Sequence, residues 1–407
     1  GDAKQLRPTA TFMRRYMGGA DDEDLSMQAA LEVESLLDLA VARFDSANIT
    51  YHYRSASREL IDFSNKAFYE DRLRISPNVT KSVRNKPIVR IKVDGRWENR
   101  KNETEAREVV ALIKKLIKSG RNRDTIGVIT FGSEQQGCIE DMLDRECRVD
   151  AEFRTALAKE TARKEDGQDV GFFVKNIENV QGDERDVIIF CVGYAVGENG
   201  RVNAHFGSLS ADGGENRLNV AVTRAKKKIY VVTSIEPEEL KVDTSKNNGP
   251  RLFRAYLSYV RAVSAGKKQE TEALLSALCP PPAAAKSALA VPVEQQIADR
   301  LAELGYTTEI NLGEGATRIS VAVYDKKSDR YVLGIQLDRA LFDGSQSALE
   351  RDVFAARFLA QRGWKIMRVW SRDWWHDSKG VIADIKRTLD RILGTDVNPL
   401  PAKKEET

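Results

Sequence analysis

Apolar positions fall at helical spacing over residues 32–42, over 57–69 (Leu60, Ile61, Phe63, Ala67 and Phe68) and over 103–118. Residues 87–93 alternate apolar and polar, the pattern of a half-buried strand, and 125–131 is a short apolar run. Residues 187–192 and 229–232 are almost continuously apolar, which predicts strands covered on both faces. Strands alternating with helices over about residues 25–265 predict a mostly parallel α/β sheet. Residues 133–168 are highly charged with a break at Gly167 and are expected to form an insertion over that sheet. Residues 197–214 are glycine-rich and polar and predict a surface loop.

A helical pattern over 252–278 leads into Cys279-Pro280-Pro281-Pro282-Ala283-Ala284-Ala285-Lys286, a stiff connector that marks the main domain boundary. Beyond it the pattern predicts a helix over 293–304 stopped by Gly305, and strands over 318–324 and 331–337. A helix from about 348 to 362, a strand over 364–370 and a last helix from about 380 to 393 complete a second, compact α/β domain. Trp364 and Trp370 share one side of that last strand and are expected to be buried. Residues 396–407 read as a solvated tail.

At 407 residues the chain suits two or three domains. Lys and Arg total 64 against 61 acidic residues, so any nucleic-acid groove must come from local clustering rather than net charge. The cysteines Cys138, Cys147, Cys191 and Cys279 have no CxxC spacing and only three histidines accompany them. That argues against zinc or a disulfide framework and for a reducing, cytoplasmic setting. No run of about 18 apolar residues occurs, so no membrane association is expected.

Four strings carry candidate chemistry. They are Gly1-Asp2-Ala3-Lys4-Gln5-Leu6-Arg7-Pro8-Thr9, Tyr51-His52-Tyr53-Arg54-Ser55, Val180-Gln181-Gly182-Asp183-Glu184-Arg185-Asp186, and Arg217-Leu218-Asn219-Val220-Ala221-Val222-Thr223-Arg224-Ala225. Taken singly each has a plain reading: Arg54 as a surface ion-pair residue, Gly182 as a turn glycine, Lys226-Lys227-Lys228 as a solvated face. In this order, with apolar strands after the last two, they resemble the later motifs of a superfamily 1 helicase of the nonsense-mediated-decay type. The resemblance covers about residues 1–260 and implies a nucleotide held between two RecA-like domains. It makes Arg224 the arginine finger, Arg54 a second arginine facing the γ-phosphate and Gln5 a γ-phosphate sensor. Gln181, Gly182, Glu184 and Arg217 become nucleotide-binding residues, with Glu184 placed for a ribose hydroxyl. Lys175, Asn176 and Thr223 become candidate backbone contacts to nucleic acid.

No Gly-x-x-x-x-Gly-Lys-Ser/Thr loop occurs in these residues. The expectation is therefore that the phosphate loop and the Mg²⁺-holding acidic motif lie upstream of Gly1, in a first motor domain of the same polypeptide. Residues 1–30 would be the tail of that domain, 31–265 the second RecA-like domain and 266–291 a helix end and linker. ATP and Mg²⁺ would be used by the full-length parent, with neither held tightly by this fragment. The expected partner is nucleic acid, DNA rather than RNA, tracked as a single strand.

Residues 292–395 resemble the very-short-patch-repair-like members of the restriction-endonuclease superfamily. The segments are Leu304-Gly305-Tyr306, Arg318-Ile319-Ser320, Leu333-Gly334-Ile335-Gln336-Leu337-Asp338, Arg351-Asp352, and Gly363-Trp364-Lys365-Ile366-Met367-Arg368-Val369-Trp370-Ser371 with Trp374-Trp375. Metal-dependent cleavage needs hard oxygen ligands around Mg²⁺. The resemblance puts Ser320 and Gln336 where acids are usual, leaving Asp338, with Glu294 on the leading helix as a further acid. The expected domain is thus a degenerate nuclease. The alternatives are a non-catalytic nucleic-acid-binding module and an active nuclease.

Overall fold

The computed structural model describes residues 2–6, 36–45, 49–79, 86–118, 124–197, 200–202, 206–243, 245–280, 292–338, 341–342 and 347–394. The Arg7-Pro8-Thr9 end of the first string, residues 32–35 of the first helical pattern, most of the connector and the tail lie outside these described residues.

The chain forms two compact units, one of residues 1–49, 54–72 and 86–281, the other of 50–53, 73–85 and 282–407. Along the chain come α1 (Leu36–Arg43), β1 (Tyr51–His52), α2 (Glu59–Phe68), β2 (Arg74–Ile75), β3 (Ile88–Lys92), α3 (Glu103–Lys118) and β4 (Ile126–Thr130). Next are α4 (Ser133–Val149), α5 (Ala151–Thr161), a hairpin of β5 (Lys164–Glu165) and β6 (Gln168–Asp169), β7 (Phe173–Asn176) and β8 (Arg185–Cys191). Then follow α6 (Gly214–Val222), β9 (Ala225–Thr233), α7 (Gly249–Ala265) and α8 (Lys268–Leu278).

In the first unit a five-stranded, all-parallel sheet runs in the order β3-β9-β8-β4-β7. Its central strands are covered on both faces, which is why they read as continuous apolar runs. Leu60 and Phe63 of α2, Leu218 of α6 and Phe253, Tyr256 and Val260 of α7 pack one face. Val109 and Ile113 of α3, Ile139 and Leu143 of α4 and Phe153 of α5 pack the other.

The charged stretch 133–168 is therefore no insertion. It contains the crossover that carries the chain from β4 to its parallel neighbour β7, and its Cys138, Ile139, Leu143 and Phe153 are core. Phe153→Ala is expected to cost about 3–5 kcal/mol. The long helix expected over 252–278 is two helices, because Gly266 takes the left-handed φ of +73° that closes α7.

The second unit contains α9 (Val293–Glu303), β10 (Thr307–Leu312), β11 (Ile319–Asp325) and β12 (Arg330–Leu337). A π-helical turn (Glu350–Phe354) then leads into α10 (Ala355–Gln361), β13 (Ile366–Val369), α11 (Ser371–His376) and α12 (Ser378–Leu393). The sheet order is β10-β11-β12-β13, antiparallel except for the parallel pair β12–β13. Sequence periodicity missed β10, whose exposed and half-buried threonines resemble a loop.

Trp364 and Trp374 are buried, but Trp370 is 50% exposed, against expectation. The strand ends at Val369, so Trp370 is the N-cap of α11 and the period-two argument no longer reaches it.

The connector is not the whole boundary. β1 and β2 pair in parallel and belong to the second unit, as do residues 77–79. Trp364 Nε1 donates to the Pro77 carbonyl at 2.8 Å and Tyr331 N to the Val79 carbonyl at 2.7 Å. Val79 is buried in a cluster with Ile319, Ala322 and Leu359. Among the described residues, no helix is long and apolar enough to cross a membrane.

Candidate functional site

Sheet register brings the later motifs together. Arg185 opposes Ala225 across β8 and β9, and Arg185 N donates to the Arg224 carbonyl at 3.2 Å. Glu184 and Arg224, each one residue before its strand, thus lie at the same sheet end. The turn before β8 needs Gly182, whose φ of +91° other residues rarely adopt.

The 54–56 segment reaches the same place because Ala56 N donates to the Lys226 carbonyl at 2.6 Å. There Arg54 Nε meets Glu184 Oε2 at 2.5 Å and Lys226 Nζ meets Glu184 Oε1 at 2.9 Å. Burial pushes the Glu184 carboxyl up. Donation from Lys226 and Arg54 outweighs it and holds the group below the usual carboxylate range.

Arg224 follows α6 and is buried. Its Nε donates to the Val220 carbonyl at 2.7 Å, Nη1 to the Asp183 carbonyl at 3.2 Å and Nη2 to Thr223 Oγ1 at 3.1 Å. Burial, then the neighbouring charge of Arg54, brings its pKa down to about 10, so it remains a cation at neutral pH. Among the described residues the second hydrogens of Nη1 and Nη2 are not taken up.

Residues 2–6 dock on α6. Gln5 Nε2 donates to Asp2 Oδ2 at 3.1 Å, which also accepts the Tyr69 hydroxyl at 2.8 Å. Asn219 Nδ2 reaches the Lys4 carbonyl at 2.8 Å and Tyr69 Oη at 3.0 Å. Gln5 is therefore coupled, through Asp2 and Tyr69, to α6, the helix that Arg224 follows. Tyr69, Asn219 and Lys226 were not picked out as site residues in the sequence. Asn219 sits inside the Arg217–Ala225 string, so its signal was present, whereas Lys226 looked like part of a solvated lysine run.

The remaining candidates fall as follows. Gln181 is exposed on the turn with Gly182. Arg217 faces Glu178 at 3.6 Å. Lys175 pairs with Asp183 at 2.6 Å, and Asn176 Oδ1 accepts Glu178 N at 3.1 Å. Thr223 is a correction to the expected nucleic-acid surface. It is buried and shares its hydroxyl hydrogen between the Asn219 and Val220 carbonyls at 2.9 and 3.0 Å.

A separate buried cluster caps α3. Asn102 Oδ1 accepts Glu105 N at 3.1 Å, and Glu105 Oε2 accepts Gly193 N at 2.6 Å. Burial pushes the Glu105 carboxyl up to about 7, and the Gly193 hydrogen bond only partly offsets it.

In the second unit, Ser320 and Gln336 are buried and engaged in structural bonds. Ser320 Oγ accepts Leu337 N at 3.1 Å, and Gln336 Nε2 donates to the Arg318 carbonyl at 3.0 Å. Asp338 accepts Ser371 N at 3.0 Å and the Ser371 hydroxyl. Glu294 lies half-buried in the first turn of α9. Among the described residues no group of three or more His, Cys, Asp or Glu is gathered to hold a metal ion. Two neutral, hydrogen-bonded side chains at the central positions do not fit a divalent cation, and no cleavage step follows from them.

Residues 33–236 match the AAA domain family, and residues 293–389 match the family described as REase_MTES_1575. An uncharacterized ATP-dependent helicase of Mycoplasma pneumoniae is 32% identical over 396 residues, 96% of this chain and 34% of that protein. Its counterpart in Mycoplasma genitalium is 34% identical over 397 residues, again 96% of this chain and 34% of that protein. The probable helicase senataxin of Homo sapiens is 27% identical over 247 residues, 57% of this chain and 8% of that protein. The chain thus spans about a third of the length of the two mycoplasma relatives. With a parallel-sheet unit carrying the helicase strings and a mixed-sheet unit behind it, the chain belongs to the AAA domain family and ends in a REase_MTES_1575 domain.

Proposed function

We propose that this chain supplies the second motor domain of an ATP-dependent nucleic-acid helicase or translocase, with a nuclease-like domain that does not cleave. One observation carries the reading: Arg54, Lys226 and Arg224 gather at one end of β8 and β9, around Glu184. Three cations beside one carboxylate leave net positive charge, suited to an incoming triphosphate.

A guanidinium remains charged and forks onto phosphate oxygens, so Arg224 and Arg54 are fitted to stabilise charge that develops on the γ-phosphoryl group. Arg224 is already held by three hydrogen bonds and needs little reorganisation to do so. Glu184 is fitted to accept a ribose hydroxyl, with Lys226 retaining it when Arg54 turns to phosphate. Gln5 joins this end through Asp2 and Tyr69.

Nucleic acid is taken as a backbone ligand, without base readout. The test is ATP turnover by the full-length polypeptide with and without single-stranded DNA or RNA. Stimulated turnover is expected, while the 407-residue chain alone stays at background. No turnover by the full-length protein with either nucleic acid overturns the proposal.

A further inference from the structure

Residues 2–6 and the turn after α2 meet on α6, all inside the first unit. Leu6 and Tyr69 pack against the same apolar cluster as Leu218 of α6. Above that floor Gln5, Asp2, Tyr69 and Asn219 are bonded in series. The Tyr69 hydroxyl donates to Asp2 Oδ2 at 2.8 Å and accepts Asn219 Nδ2 at 3.0 Å, and the same Asp2 oxygen accepts Gln5 Nε2 at 3.1 Å. Gln5 N also donates to the Asp2 carbonyl at 3.2 Å, so Gln5 is held to Asp2 by backbone and side chain alike. Burial pushes the Tyr69 hydroxyl well above the usual phenol range, so it keeps the proton it donates.

Both ends of the Tyr69 link are fixed by their surroundings. Tyr69 closes α2, and the next two residues, Glu70 and Asp71, take left-handed φ values of +53° and +60°. Residues other than glycine keep that conformation only where neighbours impose it. Here Asp71 N donates to the Asn65 carbonyl at 3.0 Å and Asn65 Nδ2 donates to Asp71 Oδ1 at 3.1 Å. At the other end Asn219 is 1% exposed, and its Oδ1 accepts no hydrogen bond among the described residues. Its amide is therefore oriented by what it donates to, Tyr69 and the Lys4 carbonyl at 2.8 Å.

We propose that Tyr69 is a positioning residue for Gln5. Its hydroxyl ties Asp2, and through Asp2 the Gln5 side chain, to Asn219. The Asn219 carbonyl in turn accepts the Thr223 hydroxyl at 2.9 Å, and Thr223 Oγ1 accepts Arg224 Nη2 at 3.1 Å. Gln5 and Arg224 are thus both referred to one residue of α6, and the sensor and the finger are aimed from a single frame.

This inference rests on the reading that Gln5 senses the γ-phosphate. Its test is steady-state ATP turnover of the full-length polypeptide with saturating single-stranded DNA or RNA, whichever stimulates it, for Gln5→Ala, Tyr69→Phe and the double variant. Tyr69→Phe removes one oxygen and leaves the ring to pack as before. Loss of a hydrogen bond to a carboxylate corresponds to about tenfold, so kcat is expected to fall by about that factor with little change in KM for ATP. Because the hydroxyl acts only through Gln5, the double variant should be no slower than Gln5→Ala alone.

Asp2→Ala cuts the same link from its other side, at a half-buried position, and should reproduce the loss. Wild-type kcat in Tyr69→Phe or in Asp2→Ala while Gln5→Ala is impaired overturns the positioning role, as do independent losses that multiply in the double variant. Wild-type kcat in Gln5→Ala overturns the γ-phosphate reading itself and the inference with it.

Discussion

Arg54 and Glu184 stand 130 positions apart in the chain and meet at 2.5 Å, with Lys226 completing the carboxylate's coordination at 2.9 Å. Neither arginine nor glutamate is committed to the pair for stability. Both side chains keep about a third of their surface in water, where such pairs contribute roughly 0–1 kcal/mol. On the proposed function, the pair is the resting arrangement of two groups that turn to nucleotide when it binds.

Replacing the acid separates those roles. Glu184→Ala should leave thermal stability within about 1 kcal/mol of wild type. Its folded carboxyl is held low, so what stability it adds is present above the unfolded pKa and is lost as pH falls through the lower folded one. In the full-length protein the same variant should raise KM for ATP roughly tenfold, the worth of one charge-assisted hydrogen bond, with kcat largely kept. A normal KM would remove Glu184 from the nucleotide site.

Glu105 gives the opposite sign. Its folded pKa of about 7 lies above the unfolded value of about 4.3, so the folded state binds the proton more tightly. Stability from this group is full below the unfolded pKa and declines as pH rises toward 7, by roughly 4 kcal/mol in all. Urea titrations from pH 4.5 to 7.5 should show that slope in wild type and a flatter one in Glu105→Gln. Equal slopes would mean the carboxyl is ionised throughout.

The parallel sheet, the helices that flank it and the last two strings were legible because burial on both faces writes continuous apolar runs and because those strings run into β8 and β9. Convergence of Arg54 on Glu184 was not, since it depends on a backbone bond from Ala56 to Lys226 and on register across β8 and β9. Charge misled at residues 133–168, where four buried side chains on two polar helices, Cys138, Ile139, Leu143 and Phe153, suffice to make a crossover. Likewise the passage of residues 50–53 and 73–79 into the second unit has no local signature. It is written in partners such as Glu350 and Trp364, nearly 300 positions away.

That passage has a direct consequence. Residues 280–407 expressed alone lose the Pro77 carbonyl from Trp364 and Val79 from the core. An unpaired buried donor costs about 1–3 kcal/mol, so the fragment should melt well below the same unit in the whole chain. A peptide of residues 73–79 added in trans should raise its melting temperature. Identical melting with and without those residues would contradict the assignment.

Nuclease activity is accordingly best sought in the whole chain. With Ser320 and Gln336 buried and bonded, no cleavage of single- or double-stranded DNA or RNA is expected in Mg²⁺ or Mn²⁺. Ser320→Asp should destabilise the fold by several kcal/mol through an unpaired buried charge. Specific cleavage by wild type that disappears in Asp338→Ala would show the domain to be active.

The most direct measurement is on Arg224 in the full-length polypeptide: kcat for ATP and the equilibrium affinity for nucleotide, in wild type and Arg224→Ala. A finger acting on charge that develops during phosphoryl transfer should cost about 10³–10⁵ in kcat when removed, with affinity nearly unchanged. Arg224→Lys should not restore the rate, because an ammonium cannot fork. Weakened nucleotide affinity at an unaltered kcat would make Arg224 a ground-state ligand and contradict the account.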